Sequence, residues 1–256
     1  MENIIKIRGV EIGKGMPKIA APIVAPSRAE IAERAARMNG LPIDAVEWRA
    51  DFFEGMENIG DTIEVLGDVR KAIGEKLLIF TVRTKAEGGS AQLSAADYLR
   101  LNEAAAKSGF ADIIDVEMMR ESAGEVISAL HDAGAAALLS SHDFQKTPSE
   151  EEIIARLKKM QDMGGDILKI AVMPQSPQDV LTLISATEKM RRLHARRPLV
   201  TIAMSGLGLI SRISGEIFGS AMTFGSAGGL SVASAPGQIS VEELFAALCA
   251  IHKSLE

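Results

Sequence analysis

Short apolar runs recur along the chain, each bounded by Gly, Asp, Ser or Pro and separated from the next by a segment with helical spacing. Eight of these runs read as strands. They are KIAAPIV from Lys18, AVEWR from Ala45, LLIFTVRT from Leu77, DIIDVEM from Asp112, AAALLSSH from Ala135, DILKIAVM from Asp166, LVTIAMS from Leu199 and SAMTFGS from Ser220. Between and after them, ADYLRLNEAAAKS, EEIIARLKKMQDM, SPQDVLTLISATEKMRRLHARR and VEELFAALCAIHKSL place apolar residues at helical intervals. Thr147 to Glu150 and Ser176 to Asp179 offer capping residues, the latter with a proline at the first turn. The interval after the seventh strand is short, and the helix it predicts around Leu209 to Phe218 is correspondingly weak. Ahead of the first strand, IIKIRG and VEIG predict a small hairpin within residues 1–17 that closes the amino-terminal end of the sheet.

Strand and helix therefore alternate eight times in 256 residues, close to the roughly 250 typical of a closed parallel barrel. The expected fold class is α/β, a single (β/α)8 TIM barrel with a short N-terminal β-hairpin. No linker or internal repeat divides it, so residues 1–256 are expected to form one domain. A doubly wound open sheet is the competing architecture. Its dinucleotide fingerprint would stand directly after an early strand, whereas Gly206-Leu207-Gly208 is incomplete and lies near the other end of the chain.

Composition narrows the class further. A 47% hydrophobic, 24% charged chain is not a disordered one, and 28 basic against 34 acidic side chains leave a net charge of -6, which disfavours a general nucleic-acid binder. The single Cys249 excludes an intramolecular disulfide and any cysteine-rich metal site, and it reads as a packed small apolar group. No apolar stretch approaches the roughly 20 residues of a membrane span, and the first residues lack a secretory pattern, so a cytoplasmic location is expected.

Polar residues interrupt the strands where chemistry is expected in such a fold. In ILKIAVMP, a period of two puts Lys169 on one face with Ile167, Ala171 and Met173. An inward-facing lysine is partly desolvated, which favours the neutral amine that attacks a carbonyl to form a Schiff base; a snorkelling lysine or a buried ion pair is the other reading. His142, near the end of its strand, is suited to taking and returning a proton, or else to satisfying a turn; neighbouring Asp143 points the opposite way along a strand and makes no dyad by adjacency. Glu47 and Arg49 share a face. Arg83 interrupts FTVRT and Glu87 follows it, placed to accept a ring-nitrogen proton from His142. Asp115 and Glu117 form another same-face pair, read as a network fixing Arg83 or Lys169 rather than as catalytic carboxylates.

Late in the chain, Arg212 with Ser234 and Gln238 could clamp a carboxylate, although a capping and turn network fits them equally well. His131, His194 and His252 show no metal-ligand spacing with each other or with His142. The Arg191, Arg192, Arg196 and Arg197 cluster reads as a solvated helix face, and Met118, Met119, Met160 and Met163 as packing residues.

Taken together, VEWRADFF at 46–53, FTVRTKAEGG at 80–89, DVE at 115–117 and SSHDFQKTP at 140–148 resemble the type I 3-dehydroquinase family. ILKIAVMP at 167–174, SRISGEIFGSAMTFG at 211–225 and SAPGQ at 234–238 extend the resemblance. It implies Lys169 as the imine-forming lysine, His142 as the proton-transfer residue, and substrate-binding or orienting roles for Glu47, Arg49, Arg83, Glu87, Arg212, Ser234 and Gln238. It further implies a carbon–oxygen lyase that converts 3-dehydroquinate to 3-dehydroshikimate and water in the shikimate pathway, with no metal or organic cofactor, as a homodimer. Two departures stand out: Ser140-Ser141 precede His142 where the family commonly has a serine-tyrosine pair, and the stretch between TFG and SAPGQ is longer than usual.

Overall fold

A computed structural model describes residues 3–228 and 237–256. The hairpin pairs β1 (Ile5–Ile7) with β2 (Val10–Ile12) antiparallel, with Ile5 opposite Ile12. Its turn residues Arg8 and Gly9 both have positive φ, 44° and 80°, the backbone of a tight two-residue hairpin turn.

Eight parallel strands follow: β3 (Lys18–Ile23), β4 (Ala45–Arg49), β5 (Leu77–Thr81), β6 (Ile113–Glu117), β7 (Ala136–Asp143), β8 (Ile167–Val172), β9 (Leu199–Ala203) and β10 (Met222–Phe224). From β3 to β9 each pairs with the next, and β10 pairs with β3 through Met222 opposite Lys18. Between β9 and β10 the ring is drawn together by a bridge from Leu199 to Ser220 and by the Ala221 amide donating to the Leu199 carbonyl at 2.7 Å. The result is a nearly closed (β/α)8 barrel.

Helices α1 (Arg28–Arg37), α2 (Ile59–Ile73), α3 (Ala95–Lys107), α4 (Ala123–Asp132), α5 (Glu150–Asp162) and α6 (Pro177–Leu193) connect successive strands, and α9 (Val241–Leu255) ends the chain. Capping side chains begin most of them. Ser27, Asn58, Ser94, Ser149, Ser176 and Ser240 each accept a hydrogen bond from a first-turn amide, an arrangement worth about 1 kcal/mol apiece. The expected helix over 209–218 is instead two short ones, α7 (Leu209–Ile213) and α8 (Gly215–Phe218). They part at Ser214, and a Cβ on Gly215 would collide with the Ser220 carbonyl and the Pro17 ring, so the chain must turn closely there.

Strand alternation divides the core. Val46, Trp48, Leu78, Phe80, Ile114, Leu139, Leu168 and Ile170 face outward against the helices, whereas Ala45, Leu77, Ile79, Ile113, Leu138, Ile167, Val200 and Met222 fill the barrel. Ile12 is fully buried in this inner cluster, with Ile5, Ile7 and Val10 packed against it, so the hairpin plugs the amino-terminal end as expected. At that same end one polar side chain secures every second pair of neighbouring strands. The Ile19, Leu78, Ala137 and Thr201 amides donate to Asp44, Asp112, Asp166 and Ser220 at 2.8, 2.8, 3.0 and 3.0 Å.

Along three of the inward faces, apolar side chains at the start of a strand give way to polar ones at its carboxyl end. Ala45 is followed by Glu47 and Arg49, Leu138 by Ser140 and His142, and Ile113 by Asp115 and Glu117. The lower half of the barrel is thus a packed plug on which a polar site is built. Among the described residues no helix is long and apolar enough to cross a membrane.

Candidate functional site

One cavity at the carboxyl ends of the strands gathers Glu47, Arg49, Arg83, Glu87, His142, Lys169, Arg212 and Gln238, with Gly88, Phe144, Ala171, Ile202, Met204 and Phe224 completing its wall. Every site residue expected from the sequence is therefore in one place except Ser234, which lies outside the described residues.

Lys169 is 5% exposed and sits inside the barrel above Ile167, opposite Ser140 in the β7–β8 register. Its Nζ donates to Asp115 Oδ2 at 3.3 Å, lies 4.0 Å from Glu47 Oε1, and stands 4.7 Å from the centroid of the Phe224 ring. Glu47 also accepts from the Thr81 hydroxyl at 2.9 Å.

Arg83 organises the floor of the site. It meets Asp115 at 2.7 Å and Glu117 at 3.2 Å, donates to Ser140 Oγ at 3.0 Å, and lies 3.7 Å from Glu87. Burial alone would weaken its charge, but the three carboxylates outweigh that and raise its pKa. Asp115 is held below the ordinary carboxylate range: burial pushes it up, and Arg83, Lys169 and a 2.6 Å hydrogen bond from Ser140 push it further down. Asp115 and Glu117 thus form the network expected of them, with Asp115 serving both Arg83 and Lys169. Ser140, fully buried and bridging Arg83 to Asp115, was missed from sequence; its period-two relation to His142 was the available signal.

His142 and Glu87 form a dyad. Glu87 Oε2 lies 2.8 Å from His142 Nδ1 and accepts the His142 backbone amide at 3.0 Å. Glu87 owes this position to a tight loop. Glu117 accepts both the amide and the hydroxyl of Thr84 at 2.7 Å, a 3-10 turn spans Lys85–Glu87, and Gly88 follows with φ 79°. A Cβ on Gly89 would strike the Arg83 carbonyl, so only glycine lets the loop fold back this closely. Phe144 stacks near the imidazole at 6.4 Å and covers Gly88. Asp143 makes no dyad with His142 and instead holds the following turn, accepting the Gln145 and Lys146 amides at 3.0 Å.

Burial governs the dyad's titration. It pushes the Glu87 carboxyl up to about 8, against Arg83 and with help from Glu117 and Asp115. It pushes His142 well below the ordinary histidine value, and the nearby Arg83, Lys169 and Arg49 cations act in the same direction. The dyad can therefore carry an extra proton without burying an imidazolium, because Glu87 can hold it.

Arg212, on α7, is 1% exposed and donates to the Phe224 carbonyl at 3.2 Å. Burial lowers its pKa to about 10, so it remains a cation at neutral pH. Arg49 is clamped by Asp51, a partner that the strand pattern did not indicate. Among the described residues no three His, Cys, Asp or Glu side chains group as metal ligands; His131 pairs with Asp166 and His252 with Glu216. The late arginines form the surface pairs expected of a solvated face, Arg192 with Glu188 and Arg196 with Asp162.

The family model for type I 3-dehydroquinase matches residues 19–254. The chain is 44% identical over 257 residues to the 3-dehydroquinate dehydratase of Bacillus licheniformis, with both chains covered in full. Among solved structures it superimposes with a TM-score of 0.94 and 44% identity on the type I 3-dehydroquinate dehydratase of Clostridium difficile with covalent modified comenic acid, covering 99% of this chain and 100% of that one. The 3-dehydroquinate dehydratase of Geobacillus kaustophilus matches at a TM-score of 0.93 and 36% identity, covering 98% and 96%.

Proposed function

The chain belongs to the type I 3-dehydroquinase family, and on that premise we propose that it dehydrates 3-dehydroquinate to 3-dehydroshikimate through an imine on Lys169, with His142 moving the proton. Lyase activity on this shikimate-pathway substrate follows from the family. The observation that carries the division of labour is the placement of a single buried lysine and a Glu87-paired histidine in the wall of one cavity.

Lys169 Nζ attacks the substrate ketone and a water leaves as the iminium forms. The iminium accepts the electron pair released when His142 removes a proton from the adjacent carbon. The resulting enamine expels the hydroxyl, which leaves as water with the proton returned by His142, and hydrolysis of the conjugated iminium frees the enone and the lysine. One water enters and two leave, which balances the net loss of one. Glu87 supports the proton transfer by taking the Nδ1 proton while Nε2 holds the one abstracted.

This sharing predicts the pH dependence. Because the Glu87 pKa is raised, its carboxylate accumulates only as pH rises through about 8, so kcat/KM is expected to climb to a plateau above that value. Glu87→Gln removes the limb and leaves that of His142, which lies below the ordinary histidine value. A pH–rate profile of both proteins decides the point, and an unmodified enzyme already at its plateau at pH 6.5 would contradict the shared proton.

Arg212, with Gln238 and Ser234, is assigned to the substrate carboxylate. Arg212→Ala is expected to raise KM about 10- to 100-fold, the scale of a lost charge-assisted hydrogen bond, while saturating substrate still forms the imine. Steady-state kinetics and adduct mass test this together, and unchanged KM in a folded variant removes Arg212 from the site. Assembly as a homodimer and a cytoplasmic location belong to the same reading; native mass across a concentration series tests the first, and fractionation of cells producing the protein tests the second.

A further inference from the structure

We infer that Asp51 is a positioning residue for the substrate-binding Arg49, holding its guanidinium in the one orientation the cavity uses. The inference rests on the reading of Arg49 as a substrate contact.

Arg49 ends β4, and the chain turns at once into a 3-10 turn over Ala50–Phe52. That turn brings Asp51 back beneath the side chain two residues before it. Arg49 Nε donates to Asp51 Oδ1 at 2.7 Å and Nη2 to Oδ2 at 2.8 Å, a two-toothed pairing that fixes the plane of the fork as well as its place. The Phe52 ring lies 4.9 Å from Arg49 Cζ and limits the remaining tilt. The Asp51 side chain has no solvent exposure and that of Arg49 only 8%, so water does not compete for the pair.

Asp51 has a second tie. Its Oδ2 accepts the Ser90 amide at 3.0 Å, at the far end of the loop whose near end Glu117 holds at Thr84. The carboxylate therefore references Arg49 to the same loop that carries Glu87. Arg49 lines the cavity, whereas Asp51 is not among the residues of its wall. A group that never meets substrate but sets the geometry of one that does acts chiefly through binding.

Kinetics of Asp51→Asn, Arg49→Ala and the double variant test the inference. Asn keeps one acceptor but loses the charge and the paired geometry, and Asp51→Asn is expected to raise KM about 10-fold with kcat within about 3-fold. In the Arg49→Ala background the same change should add less than about 2-fold, because its means of action is gone. A residue that merely supports the fold would lower the active fraction, and so apparent kcat, without moving KM. Unchanged KM in Asp51→Asn, or effects that multiply in the double variant, would overturn the positioning role while leaving Arg49 in place. Unchanged KM in Arg49→Ala would instead remove the substrate contact itself, and the inference with it.

Discussion

Lys169→Ala is expected to lower turnover of 3-dehydroquinate by about 10^4-fold or more and to leave no borohydride-trappable adduct, the scale on which loss of a covalent nucleophile acts. The variant should still fold. Asp115 keeps Arg83 at 2.7 Å and the Ser140 hydroxyl at 2.6 Å, and Glu47 keeps Thr81, so no buried carboxylate is orphaned when the ammonium is removed. Lys169→Arg should fail as completely, because a guanidinium retains the charge without supplying an amine that forms an imine. Circular dichroism establishes the fold and intact mass the adduct. Near-normal dehydration by a folded Lys169→Ala protein would remove the imine from the pathway.

His142→Ala should behave differently. Its Lys169 is untouched, so the imine forms, but removal of the carbon proton and protonation of the leaving hydroxyl lose about 10^2- to 10^4-fold. The covalent intermediate is therefore expected to accumulate, visible by intact mass without reduction and mapping to Lys169. Glu87 remains within reach of the residue 142 amide and of Arg83, so its loop has reason to stay in place. Normal turnover by this variant would reject the proton-transfer role alone; absence of both adduct and turnover would show that His142 acts before or during imine formation.

Much of the site was legible because a barrel strand has a simple rule. A period of two puts Glu47 with Arg49, Asp115 with Glu117, and Lys169 with Ile167 on shared faces; the first two turn from apolar to polar toward the carboxyl end, whereas the face of Lys169 returns to Ala171 and Met173. The eight strands were equally plain, AVEWR and LVTIA at their observed first residues, since β-branched and large apolar side chains fill them. What escaped was geometry made by turns. Asp51 stands where a surface turn acid would, and only the chain reversal after Arg49 brings it under the guanidinium. The break at Ser214 depends on the chain folding back so that Gly215 closely approaches Ser220 and, from the other end of the sequence, Pro17, contacts that helical periodicity does not encode. Ser234 lies outside the described residues, so its assignment stands on SAPGQ alone.

The most direct test of the account follows product and adduct in one experiment on the unmodified protein. 3-Dehydroquinate is added, enone formation is recorded, borohydride is introduced during turnover, and the digested protein is mapped by mass. The expected result is 3-dehydroshikimate as the product, loss of activity in step with trapping, and a reduced substrate adduct on Lys169. Undiminished dehydration in the presence of borohydride with no adduct, or an adduct confined to another lysine, would contradict it.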